Sequence, residues 1–167
     1  FMGHNIGVPA DLMSYMLGNY NSCVALAIMH DTPVRTFFEE SDLDTLAAIW
    51  RIREEFGAAH AEFIGYWAAD SYAAPLPKGC YASLWRHPRN GVLVAVSNLA
   101  CNPSDVTVQL RAKRLQLPEN GVARDMRTRS DLPFVRGAFT VALPCHAGLT
   151  APAQRARASN PGPEAPR

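Results

Sequence analysis

The stretch that decides the fold of this chain is YASLWRHPRNGVLVAVSNL, residues 81–99, which reads as two apolar-rich strands joined by a turn. Asn90-Gly91 is a dipeptide typical of a tight hairpin turn. In an antiparallel register centred on this dipeptide, Trp85 lies opposite Val96. The sequence before the hairpin is helical in pattern, and the sequence after it consists of further short strands.

The two predicted strands have different patterns. In the first strand, Ser83 and Trp85 project to one side, while Ala82 and Leu84 project to the other. The return strand, residues 92–99, is apolar on both sides. The hairpin therefore carries little polar surface, and it contains no evident catalytic group.

The four cysteines are interpreted first as free, partly buried thiols. They include no CxxC pair and the histidines show no HxxxH spacing, so the sequence predicts neither a zinc site nor any other metal or cofactor. One alternative follows from the predicted register, which places Cys80 opposite Cys101. A disulfide between them is a hypothesis that also requires an oxidising compartment.

Before the hairpin, helical spacing predicts a helix that follows Pro9 and carries apolar residues as far as Leu17. A second helix is predicted over residues 23–28, although this run also fits a buried parallel strand. Residues 34–38 are the predicted strand. The most strongly patterned helix spans residues 41–56, with Ser41 as a candidate N-cap and Gly57 as the left-handed residue that ends it.

The predicted domain boundary lies at residues 73–78, AAPLPK, because two prolines in three residues interrupt regular structure. Beyond it, alternating apolar residues and regularly spaced turns indicate an antiparallel sandwich. The expected fold class is α+β, with a mostly helical unit at residues 1–74, a sandwich at 78–151 and a disordered tail at 152–167. Residues 62–68, EFIGYWA, are expected to be a strand or an extended packing segment between the units.

The formal net charge of +1 conceals a strong asymmetry along the chain. Residues 1–74 carry ten acids and three bases, whereas the remainder carries five acids and thirteen bases. The two halves should therefore attract each other at a shared interface. The basic residues are spread over several predicted strands without interleaved aromatic residues, so the pattern argues against a nucleic-acid groove.

The overall composition is that of a globular protein, with 48% hydrophobic and 19% charged residues in 167. No apolar run approaches the 18 residues that a membrane-spanning helix requires. The first residues have neither the basic start nor the apolar centre of a signal peptide, so no leader is expected. Composition leaves the compartment open, with an extracellular or periplasmic location among the alternatives, and it leaves the oligomeric state undetermined.

The order of these parts resembles the C-terminal end of bacterial glycoside-hydrolase-like proteins related to glycoside hydrolase family 123. The resemblance covers about residues 20–150 and includes the motifs GYW, YASLWR and VSN. It implies that residues 1 to about 72 are the last βα units of a (β/α)8 barrel, followed by an accessory antiparallel β-sandwich. The predicted strand at 34–38 is expected to have no partner strand in this chain, so the first unit should expose apolar surface and be marginally stable.

Candidate site residues follow from the strand ends of that implied barrel, where catalytic groups lie. Glycoside hydrolysis uses two carboxyl groups, and Glu39 and Glu40 come directly after the predicted last strand. Acids at this position are also common in the first turn of a helix, which is the simpler interpretation. Arg35 is a candidate for contact with substrate, or for an ion pair with Glu39 or Asp31.

Two further groups have both a functional and a structural interpretation. His30-Asp31 can form an oriented histidine for acid–base work, or a histidine that stabilises the C-terminal end of a helix. Tyr66-Trp67 and Trp85 can stack on sugar rings, but core packing is the stronger interpretation for Trp85, and a seal between the units for Tyr66-Trp67.

The resulting hypothesis is a C-terminal fragment of a carbohydrate-active, glycoside-hydrolase-like protein that is not catalytic alone. Its partner is a carbohydrate, reached through the complete parent protein. The alternative is a stand-alone β-sandwich module that binds carbohydrate or another protein. An exposed aromatic platform formed by Tyr81, Trp85 and Phe139 would favour the alternative.

Overall fold

The computed structural model describes residues 12–13, 20–35, 40–100, 102–143 and 147–148. Cys101, Glu39 and the tail at 152–167 lie outside the described residues. The helices are α1 (Tyr20–Met29), α2 (Glu40–Phe56) and α3 (Ala112–Leu115), with 3-10 turns at Ala58–His60 and Tyr66–Ser71. The strands are β1 (Leu12–Met13), β2 (Val34–Arg35), β3 (Glu62–Ile64), β4 (Cys80–His87), β5 (Gly91–Asn98), β6 (Ser104–Gln109), β7 (Gly121–Arg124), β8 (Asp131–Phe134), β9 (Ala138–Leu143) and β10 (Ala147–Gly148).

The central hairpin, β4–β5, is present, but its register differs from the predicted one by three residues. Trp85 lies opposite Leu93 rather than Val96. The reason is the turn, which spans residues 88–90 and leaves Gly91 as the first residue of the return strand. The Nδ1 atom of His87 accepts hydrogen bonds from the backbone N–H groups of Arg89 and Asn90, each at 3.0 Å, so a side chain stabilises this longer turn.

The corrected register also removes the disulfide hypothesis. Cys80 lies opposite Asn98, and it is a free, buried thiol. Cys23 is likewise free and buried. Desolvation raises the pKa of both thiols, which keeps them protonated and unreactive at neutral pH.

Each face of the hairpin belongs to a different hydrophobic core. One face contributes Leu84 and Val94 to a core that it shares with β6, β7, β8 and β9. The opposite face contributes Trp85 and Leu93 to a core formed mainly by α1 and α2. The expectation that the return strand is apolar on both sides is confirmed, since residues 92–98 of β5 are all buried.

The first core is that of an antiparallel sandwich. Its larger sheet has the order β10–β5–β4–β3, and two further antiparallel pairs, β6–β9 and the hairpin β7–β8, supply the remaining strands. In β6, Val106 and Val108 are fully buried while Thr107 is exposed, which confirms the predicted alternation. The sequence reading missed β8 because Pro133 argues against a strand, although proline is tolerated at a sheet edge.

The N-terminal part forms a small parallel β–α–β arrangement. Leu12 pairs with Val34, and Met13 with Arg35. Two expectations were therefore wrong: Leu12 and Met13 lie in a strand rather than a helix, and the strand that begins at Val34 has a partner. The helix predicted over residues 23–28 is confirmed as α1, which connects the parallel strands as such pairing requires.

Helix α2 packs on the face of the hairpin that carries Trp85 and Leu93, and it ends before Gly57 as predicted. Gly57 adopts the left-handed conformation, with φ of 79°, and its N–H donates to the carbonyls of Arg53 and Glu54. The helix begins at Glu40, so Ser41 is a helical residue and not the cap that was predicted. Leu43 and Trp50 remain exposed at 52% and 57%, which accords with an uncovered apolar surface on the first unit.

A single buried hydroxyl joins the helical layer to the sheet. Ser83 Oγ donates a hydrogen bond to the carbonyl of Met29 at 2.8 Å and accepts one from the N–H of Tyr66 at 3.0 Å. Ser83 itself is completely buried. It therefore satisfies one carbonyl at the C-terminal end of α1 and the first N–H of a 3-10 turn, both of which lack a partner within their own element.

At the far end of the same layer, the hairpin turn supports the end of α2. Asn90 Nδ2 donates to the carbonyl of Phe56 at 2.6 Å. The Phe56 ring meets the His87 ring edge to face, with their centroids 5.8 Å apart. The turn that sets the register therefore also caps the longest helix.

Replacing Ser83 with alanine should lower the free energy of unfolding by about 2 kcal/mol, because the Met29 carbonyl and the Tyr66 N–H each lose a hydrogen bond to a buried hydroxyl. Urea unfolding of the purified chain measures the change. The control is Ser104→Ala at the start of β6, for which we expect a change within about 0.5 kcal/mol. Equal stabilities of the two variants would show that Ser83 does not join the layers.

Candidate functional site

The residues predicted to contact substrate are found, in the sequence, between the end of β2 and the start of α2. Arg35 ends β2, and its backbone pairs with Met13. Glu40 is the first residue of α2, in accord with the interpretation of this acid as a first-turn residue. Glu39 is outside the described residues, so the grouping of these three side chains stays a prediction.

His30 and Asp31 do not form an oriented pair. His30 follows the last residue of α1, and its Nδ1 donates to the carbonyl of Leu26 at 2.7 Å, as expected for a histidine at a helix C-terminal end. Asp31 forms an ion pair with Arg53 at 2.5 Å and accepts a hydrogen bond from Trp85 Nε1 at 3.2 Å. Asp31 is thus used to hold α2 and the sheet together.

The aromatic residues form a continuous cluster rather than a flat platform. Trp85 is 1% exposed and lies beneath the Arg53 guanidinium, 5.3 Å from the ring centroid, so its interpretation as a core residue is confirmed. Tyr66 meets Trp67 at an interplanar angle of 81° and Tyr81 at 66°. Such edge-to-face contacts are typical of packing, whereas stacking on a sugar needs a free ring face.

The motif GYW has a steric explanation in this cluster. A Cβ atom at Gly65 would lie 2.4–2.6 Å from three atoms of the Trp67 indole, because the ring packs directly against the glycine. The indole also stacks on the His30 ring, with centroids 5.6 Å apart. Gly65 is therefore required for close approach and not for its backbone angles, since its φ is −66°.

The motif VSN also has a structural role at its last position. Asn98 is fully buried at the end of β5, where Nδ2 donates to the carbonyl of Asn102 and Oδ1 accepts from the N–H of Ala100, both at 2.9 Å. The side chain fixes the turn that leads into β6. Ser97 is buried beside it, and its Oγ has no hydrogen-bond partner among the described residues.

The charge asymmetry of the sequence is reflected in an ion pair between the helical layer and the sandwich. Arg129, in the turn between β7 and β8, forms a bidentate ion pair with Glu55 of α2, with N–O distances of 2.8 and 2.9 Å. The Arg129 guanidinium lowers the pKa of Glu55 from its ordinary value of 4.5. Arg86 of β4 also forms an ion pair with Glu62, its partner on the neighbouring strand β3 of the same sheet.

Two concave surfaces were not foreseen from the sequence. A cavity of about 210 Å³ lies between α1 and α2, with mainly aliphatic walls and the Asp31–Arg53 pair at one side. A more polar cleft of about 500 Å³ lies beside the hairpin turn and includes Glu62 and Arg86. Within the described ranges, no three His, Cys, Asp or Glu side chains are close enough together to hold a metal ion.

None of the helices in the described part of the chain is long and apolar enough to span a bilayer. The fold is similar to parts of solved glycoside hydrolase structures. A GH27 β-L-arabinopyranosidase from Geobacillus stearothermophilus matches with a TM-score of 0.58 and 18% identity, over 86% of this chain and 32% of that one. An α-amylase from Geobacillus thermoleovorans matches with a TM-score of 0.58 and 14% identity, over 83% of this chain and 34% of that one.

At these identities the matches show the fold alone, and the chain spans about a third of the length of each solved structure. Residues 45–129, just over half of the chain, match the family described as glycoside hydrolase 123, C-terminal domain. The chain therefore belongs to this family, as the resemblance in its sequence implies. No curated protein matches the chain.

Replacing Gly65 with alanine should destabilise the protein by about 1–3 kcal/mol, since the new methyl group overlaps the Trp67 ring. In a Trp67→Ala background the same change should have almost no effect, because the overlapping ring is absent. Urea unfolding of the four proteins completes this cycle. A Gly65→Ala effect of the same size in both backgrounds would contradict the steric explanation.

The Glu55–Arg129 pair should be visible in a titration of the carboxyl groups by NMR. In the folded protein, we expect the pKa of Glu55 to be below its ordinary value and to return toward it in Arg129→Gln. Because the folded-state pKa is the lower one, the pair stabilises the fold at neutral pH, and this contribution disappears as the pH falls through that pKa. Arg127→Gln, in the same turn, should leave the Glu55 titration unchanged.

Proposed function

We propose that this chain is the C-terminal part of a carbohydrate-active, glycoside-hydrolase-like protein and does not catalyse hydrolysis alone. The observation that carries the proposal is the family match over residues 45–129, which covers most of α2 and the strands as far as β7. The structural matches to glycoside hydrolases, each covering about a third of the other chain, support the same placement.

In this proposal, residues 1–74 are the end of a barrel and residues 78–151 are its accessory sandwich, followed by a tail at 152–167. The parallel pair β1–β2, with α1 as the connection and α2 after it, is the arrangement that successive barrel units have. Strand β3 joins the sheet of the sandwich next to β4, so the first unit is attached by backbone hydrogen bonds as well as by side chains.

The inactivity of the isolated chain is supported by the state of its acidic groups. Glycoside hydrolysis requires one carboxyl group with a raised pKa as the acid and a second one as base or nucleophile. Arginine partners lower the pKa of Glu55 and Asp131, which is the opposite of what an acid catalyst needs. We propose that Arg35, Glu39 and Glu40 approach substrate only when the remainder of a barrel surrounds them.

The alternative, a stand-alone binding module, loses part of its support. Trp85 and Phe139 are 1% and 2% exposed, so they cannot form a platform on the sandwich surface. Tyr81 is 38% exposed, but its ring packs edge to face on Tyr66. The carbohydrate partner is therefore assigned to the complete protein.

The test is to determine the coding sequence upstream of Phe1 in the source genome and to express the complete reading frame beside the present chain. We expect several βα units upstream, with carboxylates at strand ends, and hydrolysis of nitrophenyl glycosides by the complete protein only. Hydrolysis by residues 1–167 alone, abolished by Glu39→Gln or Glu40→Gln, would overturn the proposal. An upstream sequence without βα units would also overturn it.

A further inference from the structure

The polar cleft beside the hairpin turn has the composition of a ligand-binding site. Its volume is about 500 Å³, and it lies between the 3-10 turn Ala58–His60, strands β3 and β4, and the end of α3. Leu115 and Leu117, which line it, are only 3% and 9% exposed and so form an apolar floor. An apolar floor with a few convergent polar groups is the usual arrangement in sites for small molecules.

The polar part of the wall is the ion pair between Glu62 and Arg86. These side chains are 51% and 41% exposed, and a pair with such exposure contributes little to the stability of the fold. Only Oε2 of Glu62 and Nη2 of Arg86 are used in the pair. The second carboxylate oxygen and the remaining guanidinium N–H groups have no hydrogen-bond partner in the described part of the chain.

His87 also borders the cleft and is 7% exposed, but its ring lies on the other face of β4, beside Phe56 and Gly57. Its Nδ1 accepts two backbone N–H groups, so the neutral ring carries its proton on Nε2. None of the described residues accepts a hydrogen bond from Nε2. The turn therefore fixes the ring against Phe56 and Gly57, on the face of β4 opposite to Arg86, and His87 Nε2 is not among the groups offered to the cleft.

We infer that this cleft binds one saccharide unit, an inference that rests on the proposed carbohydrate-active function. Adjacent hydroxyl groups of a sugar match the free acceptor of Glu62 together with the remaining donors of Arg86, while its C–H face suits the leucine floor. The charges of Glu62 and Arg86 cancel, which favours a neutral polyhydroxylated ligand over a phosphate. None of the predicted site residues Arg35, Glu39 and Glu40 lines the cleft.

The experiment is a titration of the ¹⁵N-labelled chain with L-arabinose, N-acetyl-D-galactosamine and maltotriose, followed by NMR. For at least one of these sugars, we expect saturable shifts at His87 and at residues 115–117. Arg86→Gln and Glu62→Gln should each weaken binding about tenfold, the change that corresponds to loss of about 1.4 kcal/mol. Both variants lie at the surface and should keep the spectrum of the folded protein.

The chain provides a matched control in a second exposed pair, Arg124–Asp131, with exposures of 46% and 55%. Arg124→Gln and Asp131→Asn should leave the affinity unchanged. Saturable shifts confined to Trp67 and Tyr81, unaffected by Arg86→Gln, would overturn the cleft while leaving the carbohydrate function in place. The absence of saturable binding for all three sugars would overturn the cleft as well, whereas the proposed function is decided separately by the upstream sequence.

Discussion

The fold depends on the burial of one hairpin, β4–β5, on both of its faces. A strand that is apolar on both sides is stable in water only when a layer covers each side. Here the sandwich strands cover Leu84 and Val94, and the helices cover Trp85 and Leu93. The helical layer is consequently not an appendage of the sandwich, because its removal would expose the second apolar face of the central sheet.

Polar side chains of this hairpin form hydrogen bonds to backbone groups that the apolar cores cannot satisfy. Ser83 accepts and donates where α1 ends above the sheet, and Asn90 donates to the last carbonyl of α2. Asn98 fixes the exit of β5 toward the sandwich. Since a buried polar group without a partner is costly, these residues determine where each layer can be placed, while the apolar residues determine only that layers exist.

The sequence predicts the parts of this fold that depend on local periodicity and misses those that depend on distant contacts. Helix α2 and the alternation in β6 follow from patterns within a few residues. The hairpin register was wrong because His87, a side chain outside the Asn90-Gly91 dipeptide, stabilises a three-residue turn. Likewise, nothing near Leu12 indicates a strand, since its partner Val34 is more than twenty residues away and is brought close only by α1. The cleft could not be foreseen, because its wall and floor come from segments far apart in the sequence.

The same organisation bears on where chemistry can take place. Glu55, in its ion pair with Arg129, attaches α2 to the turn between β7 and β8, and the Arg129 guanidinium lowers the pKa of Glu55 and so favours its ionised form. A group committed to such a pair cannot deliver a proton to a leaving sugar without loosening the interface that it stabilises. Under the function proposed above, such a domain contributes to hydrolysis by holding a saccharide or by supporting an adjacent barrel, and bond cleavage uses carboxyl groups that are not engaged in holding the domain together.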